Sequence, residues 1–123
     1  VALEPSNMPI VSHGKISGNH KIEGIGDDFV PEIVDEKIID KIILIDDEDA
    51  INMSRILAKK LGLGVGISSG ANFLASVLSK GECVATVFAD DLKKYLSTDL
   101  SKEMDSNPNL VSNQIELLGL EVL

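Results

Sequence analysis

Aromatic side chains and cysteine are almost missing from this chain. Its 123 residues include no tryptophan, one tyrosine and three phenylalanines, so a core must be built from Ile, Leu, Val and Ala. Such a core is typical of α/β proteins, whose buried parallel strands are rich in these residues. The one cysteine, Cys83, cannot form an internal disulfide and begins an apolar run. We therefore expect it to be a small buried hydrophobe in a reducing cytoplasm.

Positive charge is also scarce, because 11 Lys and Arg face 20 Asp and Glu, for a formal net charge of −9. This surplus of negative charge repels nucleic-acid backbones and anionic lipid surfaces and argues against both as partners. No run approaches the roughly 20 apolar residues of a membrane span, and the start lacks a signal-peptide pattern. The chain is long enough for one domain. Because it opens in a strand-like run without Met, we expect a fragment or a processed product.

The hydrophobic spacing predicts strands and helices in an α/β order. Buried-type strands are predicted at Val1–Glu4, Lys41–Asp46 and Val84–Phe88, and a short helix at Pro31–Val34. Acids at 46–49 and the stop at Gly62 frame a clear helix, whose apolar face includes Ala50 and Leu61. A second helix is predicted over 72–78 and ends at Gly81. A helical turn is expected at Tyr95–Thr98, followed by a polar stretch and an apolar tail.

Two small-residue stretches are candidates for a ligand site. Gly66–Ala71 reads Gly-Ile-Ser-Ser-Gly-Ala and predicts a strand-to-helix corner, where unpaired N–H groups and small residues suit an aromatic or anionic ligand. An ordinary cap and turn explains the same residues. Gly24-Ile25-Gly26, followed by Asp27 and Asp28, fits a ligand loop, but a lone Gly-x-Gly is weak evidence for a ligand, and a structural turn is the favoured interpretation.

Metal and nucleotide motifs are not found. His13 and His20 have no second His or Cys at metal-ligand spacing, so we predict no metal site. The neighbouring acids at 27–28, 46–47 and 90–91 are typical of solvated turns or helix starts rather than of metal pairs.

Four stretches together resemble the cysteine synthase family, also called O-acetylserine sulfhydrylases. The stretches are His20–Gly26, Phe29–Pro31, Gly66–Ala71 and Tyr95–Thr98. The resemblance implies the tryptophan-synthase-β-like fold (fold type II) of pyridoxal-phosphate enzymes, an α/β sheet with flanking helices. Residues 1–100 would be the carboxyl-terminal part of its large domain. Residues 101–123 carry none of the resemblance and form a tail that packs on its own domain or makes a dimer contact.

The resemblance also implies roles for individual residues. Ser68 would hydrogen-bond the pyridine nitrogen of pyridoxal phosphate, leaving the ring neutral as suits β-replacement. Gly24 and Gly26 belong to a loop that looks like the family's active-site loop. Asp90 falls near the pyridine end, where relatives carry Ser or Asp. The family's Schiff-base lysine and phosphate cradle precede the matched region, so this polypeptide alone is not expected to be active.

The implied function is the synthesis of L-cysteine from O-acetyl-L-serine and sulfide. Most cysteine synthases have small residues at the positions of Asp27 and Asp28. Glu23 and Asp28 look more like the residues of cystathionine β-synthase. Ala89 stands where the family usually has Pro. The nucleophile therefore stays open between sulfide, a thiol and water, which leaves cystathionine-forming, sulfide-releasing and lanthionine-forming enzymes as alternatives. We expect Asp28, with Asp27, to orient or deprotonate that second substrate. The family implies homodimers and, in bacteria, association with serine acetyltransferase. A non-catalytic binding or dimerisation module is an alternative of another class.

Overall fold

A two-stranded parallel sheet and two packed helices form the centre of the protein, seen in a computed structural model that describes residues 1–14, 18–102 and 107–122. Strand β1 (Ala2–Pro5) pairs with β2 (Ile42–Ile45), with Ala2 opposite Ile42 and Pro5 opposite Ile45. The ends of the strands predicted at Val1–Glu4 and Lys41–Asp46 are thus confirmed to within a residue. Within the described part of the chain, no helix is long and apolar enough to cross a membrane.

Among the residues that the structure describes, three α-helices and four short 3-10 helices accompany this sheet. The α-helices are α1 (Ile10–His13), α2 (Asp47–Leu61) and α3 (Ile67–Ser79). The 3-10 helices lie at Glu36–Ile38, Leu92–Tyr95, Asp99–Ser101 and Val111–Gln114.

Helix α2 is the element whose ends follow most directly from local chemistry. The Asp46 side chain accepts a hydrogen bond from the Glu48 N–H at 2.9 Å, and acids fill the first turn, where they favour the positive end of the helix dipole. Lys59 and Lys60 lie in the last turn, and Gly62 ends the helix with φ of 72°. The prediction that the acids at 46–47 begin a helix is confirmed.

The contact between α2 and α3 is unusually close because Gly70 faces α2. A Cβ on Gly70 would lie 2.3 Å from the Ala50 carbonyl oxygen and 2.3 Å from Ser54 Oγ. Ser54 Oγ also lies 2.9 Å from the Gly66 carbonyl oxygen and 3.1 Å from that of Ala50, so its one hydrogen is shared between two acceptors. Ser54 thus ties α2 to the residue that begins α3.

The predicted start of α3 was wrong, whereas its end was predicted to within a residue. The helix begins at Ile67 rather than 72 and ends at Ser79, with Lys80 at φ of 59° as its cap instead of Gly81. Most of the Gly66–Ala71 stretch therefore forms the first turns of the helix instead of a corner before it. Packing against α2 overrides the poor helix propensity of Ser and Gly in this turn.

The predicted strand at Val84–Phe88 is not formed. In the structure this stretch has no regular secondary structure and is exposed, with Val87 at 66%. A strand needs a hydrogen-bonding neighbour, and the described residues place none beside it; Asn72 Nδ2 donates to the Val87 carbonyl at 2.8 Å. Cys83 is likewise exposed, which corrects its predicted burial.

The predicted short helix at Pro31–Val34 is also wrong. A single turn forms there, in which the Val34 N–H donates to the Pro31 carbonyl at 2.9 Å.

Residues 110–114 pack against helix α2. The Ser112 N–H donates to Asp49 Oδ1 at 2.8 Å, and Asn52 Nδ2 donates to Ser112 Oγ at 2.9 Å, so both bonds reach α2. Leu110 and Ser112 are buried, whereas Leu118 is 93% exposed. The last described residues therefore leave an apolar end in solvent.

An ion cluster on Asp99 fastens the segment after Tyr95. Lys21 Nζ lies 2.5 Å from Asp99 Oδ2, and Lys102 Nζ lies 2.7 Å from Asp99 Oδ1. Hydrogen bonding and charge from Lys102 and then Lys21 lower the pKa of Asp99 to about 2. Arg55 of α2 donates to the carbonyls of Asp99, Leu100 and Lys102. The cluster thereby connects the chain before the 24–28 loop to α2.

Substitution of Gly70 by Ala should destabilise the protein. Alanine normally improves a helix by ~0.5–1 kcal/mol over glycine, but here the added methyl collides with backbone, and overpacking costs about 1–3 kcal/mol. Denaturant unfolding measures the net effect. Gly64→Ala is the matched control, because a Cβ there meets ordinary contacts at 3.6 Å. A Gly70→Ala protein as stable as the parent would contradict the close packing.

The Asp99 cluster predicts a loss of stability in acid. Because the folded pKa of Asp99 lies below its usual 3.8, the stabilisation is complete above pH 4 and disappears as the pH falls towards 2. Asp99→Asn should reduce the pH dependence of the free energy of unfolding in that range and leave the dependence above pH 5 unchanged. Urea unfolding at a series of pH values tests this. An identical acid profile in both proteins would refute it.

Candidate functional site

The start of α3 is fastened to the segment around Asp90 by backbone pairing. The Gly66 N–H donates to the Asp90 carbonyl at 2.8 Å, and the Leu92 N–H donates to the Gly64 carbonyl at 3.0 Å. A Cβ on Gly66 would lie 2.5 Å from the Tyr95 ring and 2.9 Å from the Asp90 Cβ, so any larger residue requires these side chains to move. Two stretches that are distant in sequence thus meet at one helix end.

Two buried serine residues lie in the first turn of α3. Ser68 is 7% exposed, and its hydroxyl makes no hydrogen bond to the residues that the structure describes. Ser69 is fully buried, and its Oγ also lacks a partner. Buried hydroxyls without a partner are costly and are therefore uncommon. These unsatisfied groups adjoin the positive end of the helix dipole, where the first N–H groups have no intrahelical acceptor.

The carboxylate of Asp90 is held by two donors. The buried Tyr95 hydroxyl donates to Asp90 Oδ2, and Lys94 Nζ lies 3.2 Å from the same oxygen. The Tyr95 bond, followed by that of Lys94, lowers the pKa of Asp90. Burial, followed by the bond to Asp90, raises the pKa of Tyr95 well above 10. At neutral pH, Asp90 is therefore charged and the phenol keeps its proton. The sequence indicated neither this bond nor the burial of Tyr95.

The Gly24–Gly26 loop is in a conformation that suits glycine, with φ of 88° at Gly24 and 71° at Gly26. His20 Nε2 lies 3.0 Å from the Gly26 carbonyl oxygen, and Ile22 is fully buried beneath the start of the loop. The negative charge of Glu23 contributes to the raised pKa of Tyr95, which places the loop within electrostatic range of the α3 site. The turn and the ligand-loop interpretations are both compatible with this geometry.

Asp27 and Asp28 are exposed at the outer end of this loop. Neither carboxylate makes a hydrogen bond or an ion pair among the described residues. The structure therefore brings Gly66, Asp90 and Tyr95 together at the start of α3, next to Ser68. The two loop aspartates, which follow Gly26 in the chain, lie in solvent.

Comparisons with known proteins give a consistent result. No family model matches the chain. It is 49% identical over 104 residues to cysteine synthase B of Campylobacter jejuni and 41% identical over 105 residues to a cysteine synthase of Staphylococcus aureus. These alignments cover 81% of the chain but 34% of each relative. The chain thus spans about a third of the length of these relatives.

Known structures agree with the sequence relatives. A hydrogen sulfide-producing enzyme from Fusobacterium nucleatum superposes with a TM-score of 0.82 at 46% identity, covering 89% of this chain and 34% of that one. A cysteine synthase from Entamoeba histolytica gives 0.78 at 34% identity, with 92% and 34% covered. An O-acetylserine-dependent cystathionine β-synthase from Helicobacter pylori gives 0.70 at 38% identity, with 80% and 33% covered.

These neighbours are fold type II pyridoxal-phosphate enzymes, and the α/β arrangement of parallel strands and helices confirms the predicted fold class. The predicted resemblance is confirmed as well. The chain is a homologue of cysteine synthases and matches their carboxyl-terminal part.

Proposed function

We propose that the chain is the carboxyl-terminal part of a pyridoxal-phosphate-dependent β-replacement enzyme, a cysteine synthase that converts O-acetyl-L-serine and sulfide into L-cysteine and acetate. Residues 1–100 would belong to its large domain, and residues 101–123 would be a packing or dimer-contact tail. The observation that carries this proposal is the pair of serines at the start of α3, in a chain 49% identical to a cysteine synthase. Neither hydroxyl has a hydrogen-bond partner among the described residues, and that of Ser69 is buried.

The start of α3 fits the ring end of pyridoxal phosphate. The cofactor, when bound, supplies the electron sink for bond cleavage in the amino-acid substrate. Ser68 would donate its free hydroxyl to the pyridine nitrogen, and a hydroxyl, unlike a carboxylate, does not hold that nitrogen protonated. Gly66 lets the Tyr95 ring and the Asp90 side chain pack against the helix end, because a Cβ there would lie 2.5 Å from that ring. Asp90 would lie beside the ring end, held by Tyr95 so that it does not compete for the nitrogen.

The 24–28 loop would form the substrate side of the site. Gly24 has open space where a Cβ would lie, which permits close approach of a small amino-acid substrate, whereas the same space at Gly26 is filled by His20 and Pro5 and would hold the loop in place. Asp28, with Asp27, would orient or deprotonate the incoming nucleophile. Its exposed carboxylate has no partner among the residues described and is free to accept a proton.

The nucleophile could equally be a thiol, because two of the structural neighbours are named for other reactions, sulfide production and cystathionine synthesis. Such an enzyme would use the same groups at α3 and differ in the loop.

A non-catalytic binding or dimerisation module is favoured by a separate observation, the exposure of Val87, Leu118 and Val122. A homodimer, association with serine acetyltransferase and a cytoplasmic location are further parts of the enzyme proposal and rest on the resemblance.

A chimeric enzyme tests the cofactor proposal. The upstream two thirds of the Campylobacter jejuni cysteine synthase B is joined to this chain at the matched boundary. The purified protein should be yellow, retain pyridoxal phosphate through dialysis and form cysteine from O-acetylserine and sulfide. Hydrogen exchange at 84–88 should also slow, because a strand-type sequence would gain its neighbours. A folded, colourless chimera that binds no cofactor would refute the enzyme proposal.

In that chimera, Ser68→Ala should weaken cofactor retention by about five- to tenfold, the equivalent of one hydrogen bond of ~1 kcal/mol. Ser76→Ala is the matched control on the same helix, because Ser76 Oγ bonds the Phe73 carbonyl and lies two turns away. Equal retention in the two variants would remove the role given to Ser68.

Asp28→Asn should change the choice of nucleophile. Loss of a general base reduces the rate by roughly a hundredfold or more, and the reduction should differ between sulfide, cysteine and homocysteine, whose thiol pKa values and sizes differ. Measuring kcat/KM for each nucleophile gives the preference. Asp40→Asn is the control, because Asp40 is also exposed but lies outside the loop. An unchanged preference would make Asp28 a loop residue without a catalytic role.

A further inference from the structure

His20 makes a hydrogen bond that determines the position of its proton. Its Nε2 lies 3.0 Å from the Gly26 carbonyl oxygen. A carbonyl oxygen only accepts hydrogen bonds, so Nε2 must carry a hydrogen. The other ring nitrogen, Nδ1, is buried and has no hydrogen-bond partner among the described residues. A hydrogen on Nδ1 would therefore have no acceptor, and the geometry selects the Nε2–H tautomer.

The same ring nitrogen also forms one wall of a narrow space for Gly26. A Cβ on Gly26 would lie 2.7 Å from His20 Nε2 and 2.8 Å from Pro5 Cγ, and its φ of 71° disfavours other residues. Pro5 is fully buried at the end of β1, where it is paired in register with Ile45. Gly26 is thus enclosed between a rigid strand end and the imidazole ring.

We propose that His20 is the positioning residue of the 24–28 loop: by donating from Nε2 to the Gly26 carbonyl, it holds the loop against the end of β1 and directs Asp27 and Asp28 outward. Neither carboxylate has a bond of its own to fix it. Their direction is therefore set by the backbone that precedes them, and His20 supplies the side-chain bond to that backbone. The consequence for substrate binding rests on the proposed function, whereas the tautomer and the anchoring of the loop do not.

The tautomer is tested on the 123-residue chain itself. Nitrogen-15 chemical shifts and two-bond couplings of labelled histidine distinguish Nε2–H from Nδ1–H. His20 should be in the Nε2–H form, and the exposed His13, whose Nδ1 lies 2.7 Å from Ser12 Oγ, serves as the internal comparison. An Nδ1–H form at His20 would overturn the proposal, whether or not any variant folds.

Two variants test the anchoring. His20→Gln keeps a side-chain N–H that reaches the same carbonyl, and His20→Leu removes it. Loss of one hydrogen bond of ~1 kcal/mol should speed hydrogen exchange of the 26–28 amides by about fivefold in the Leu variant, with the Gln variant close to the parent. Amides of α2 should not change in either. Equal loop exchange in the Leu variant and the parent would overturn the proposal.

In the chimera, His20→Leu should lower kcat/KM for the nucleophile by about fivefold at unchanged cofactor content, and His20→Gln should restore it. A parent chimera that never binds cofactor refutes the proposed function but leaves the tautomer and exchange results intact. A loaded chimera in which both variants match the parent shows instead that the loop is anchored for stability alone and overturns the substrate-side part of the inference.

Discussion

The close contact between α2 and α3 is the constraint on which the rest of the structure depends. Gly70 allows the helices to approach until the Ala50 carbonyl and Ser54 lie against it. At that distance Ser54 Oγ reaches the Gly66 carbonyl and fixes the residue that begins α3. Dispersion contacts and the burial of apolar surface stabilise such a close approach only where no side chain lies between the helices. A glycine and a serine, neither of them a good helix former, therefore determine where the candidate site begins.

The position of Gly66 determines the electrostatics of the site. Its N–H bonds the Asp90 carbonyl, which brings the Asp90 carboxylate to Tyr95 and Lys94. The negative charge is thus stabilised by two donors, while the hydroxyls of Ser68 and Ser69 have no hydrogen-bond partner among the described residues. Polar groups that form hydrogen bonds with one another in the folded protein do not need a ligand to complete their hydrogen bonding. The two serines differ from Asp90 in this respect, and they are the groups that a bound molecule would satisfy.

The loop and the sheet form a second fixed unit. Pro5 ends β1 and has no N–H to donate, and its ring packs against Gly26, where a Cβ would lie 2.8 Å from Pro5 Cγ. Several apolar side chains, by contrast, are left in solvent, and Ile33, Leu118 and Val122 are the most exposed of those described. Exposed apolar stretches of this kind mark surfaces that are covered in a larger assembly, which agrees with a chain that spans a third of its relatives.

The sequence by itself determined the features whose causes are local. The ends of α2 follow from the Asp46 cap and Gly62, and the strands at 2–5 and 42–45 follow from continuous apolar runs. The four motifs also sufficed to predict the similarity to cysteine synthases. Tertiary structure decided the features that depend on distant neighbours. Val84–Phe88 has the composition of a strand, but pairing needs a second strand, and Cys83 is exposed for the same reason.

The start of α3 and the buried Tyr95–Asp90 bond belong to that second group, because residues 50, 54, 66 and 90 meet only after folding. Helix capping and turn formation depend on residues a few positions apart, so they can be predicted from the sequence. Helix contacts, strand pairing and the environment of a carboxylate are set by residues far apart in the chain, so the pattern around each residue does not reveal them.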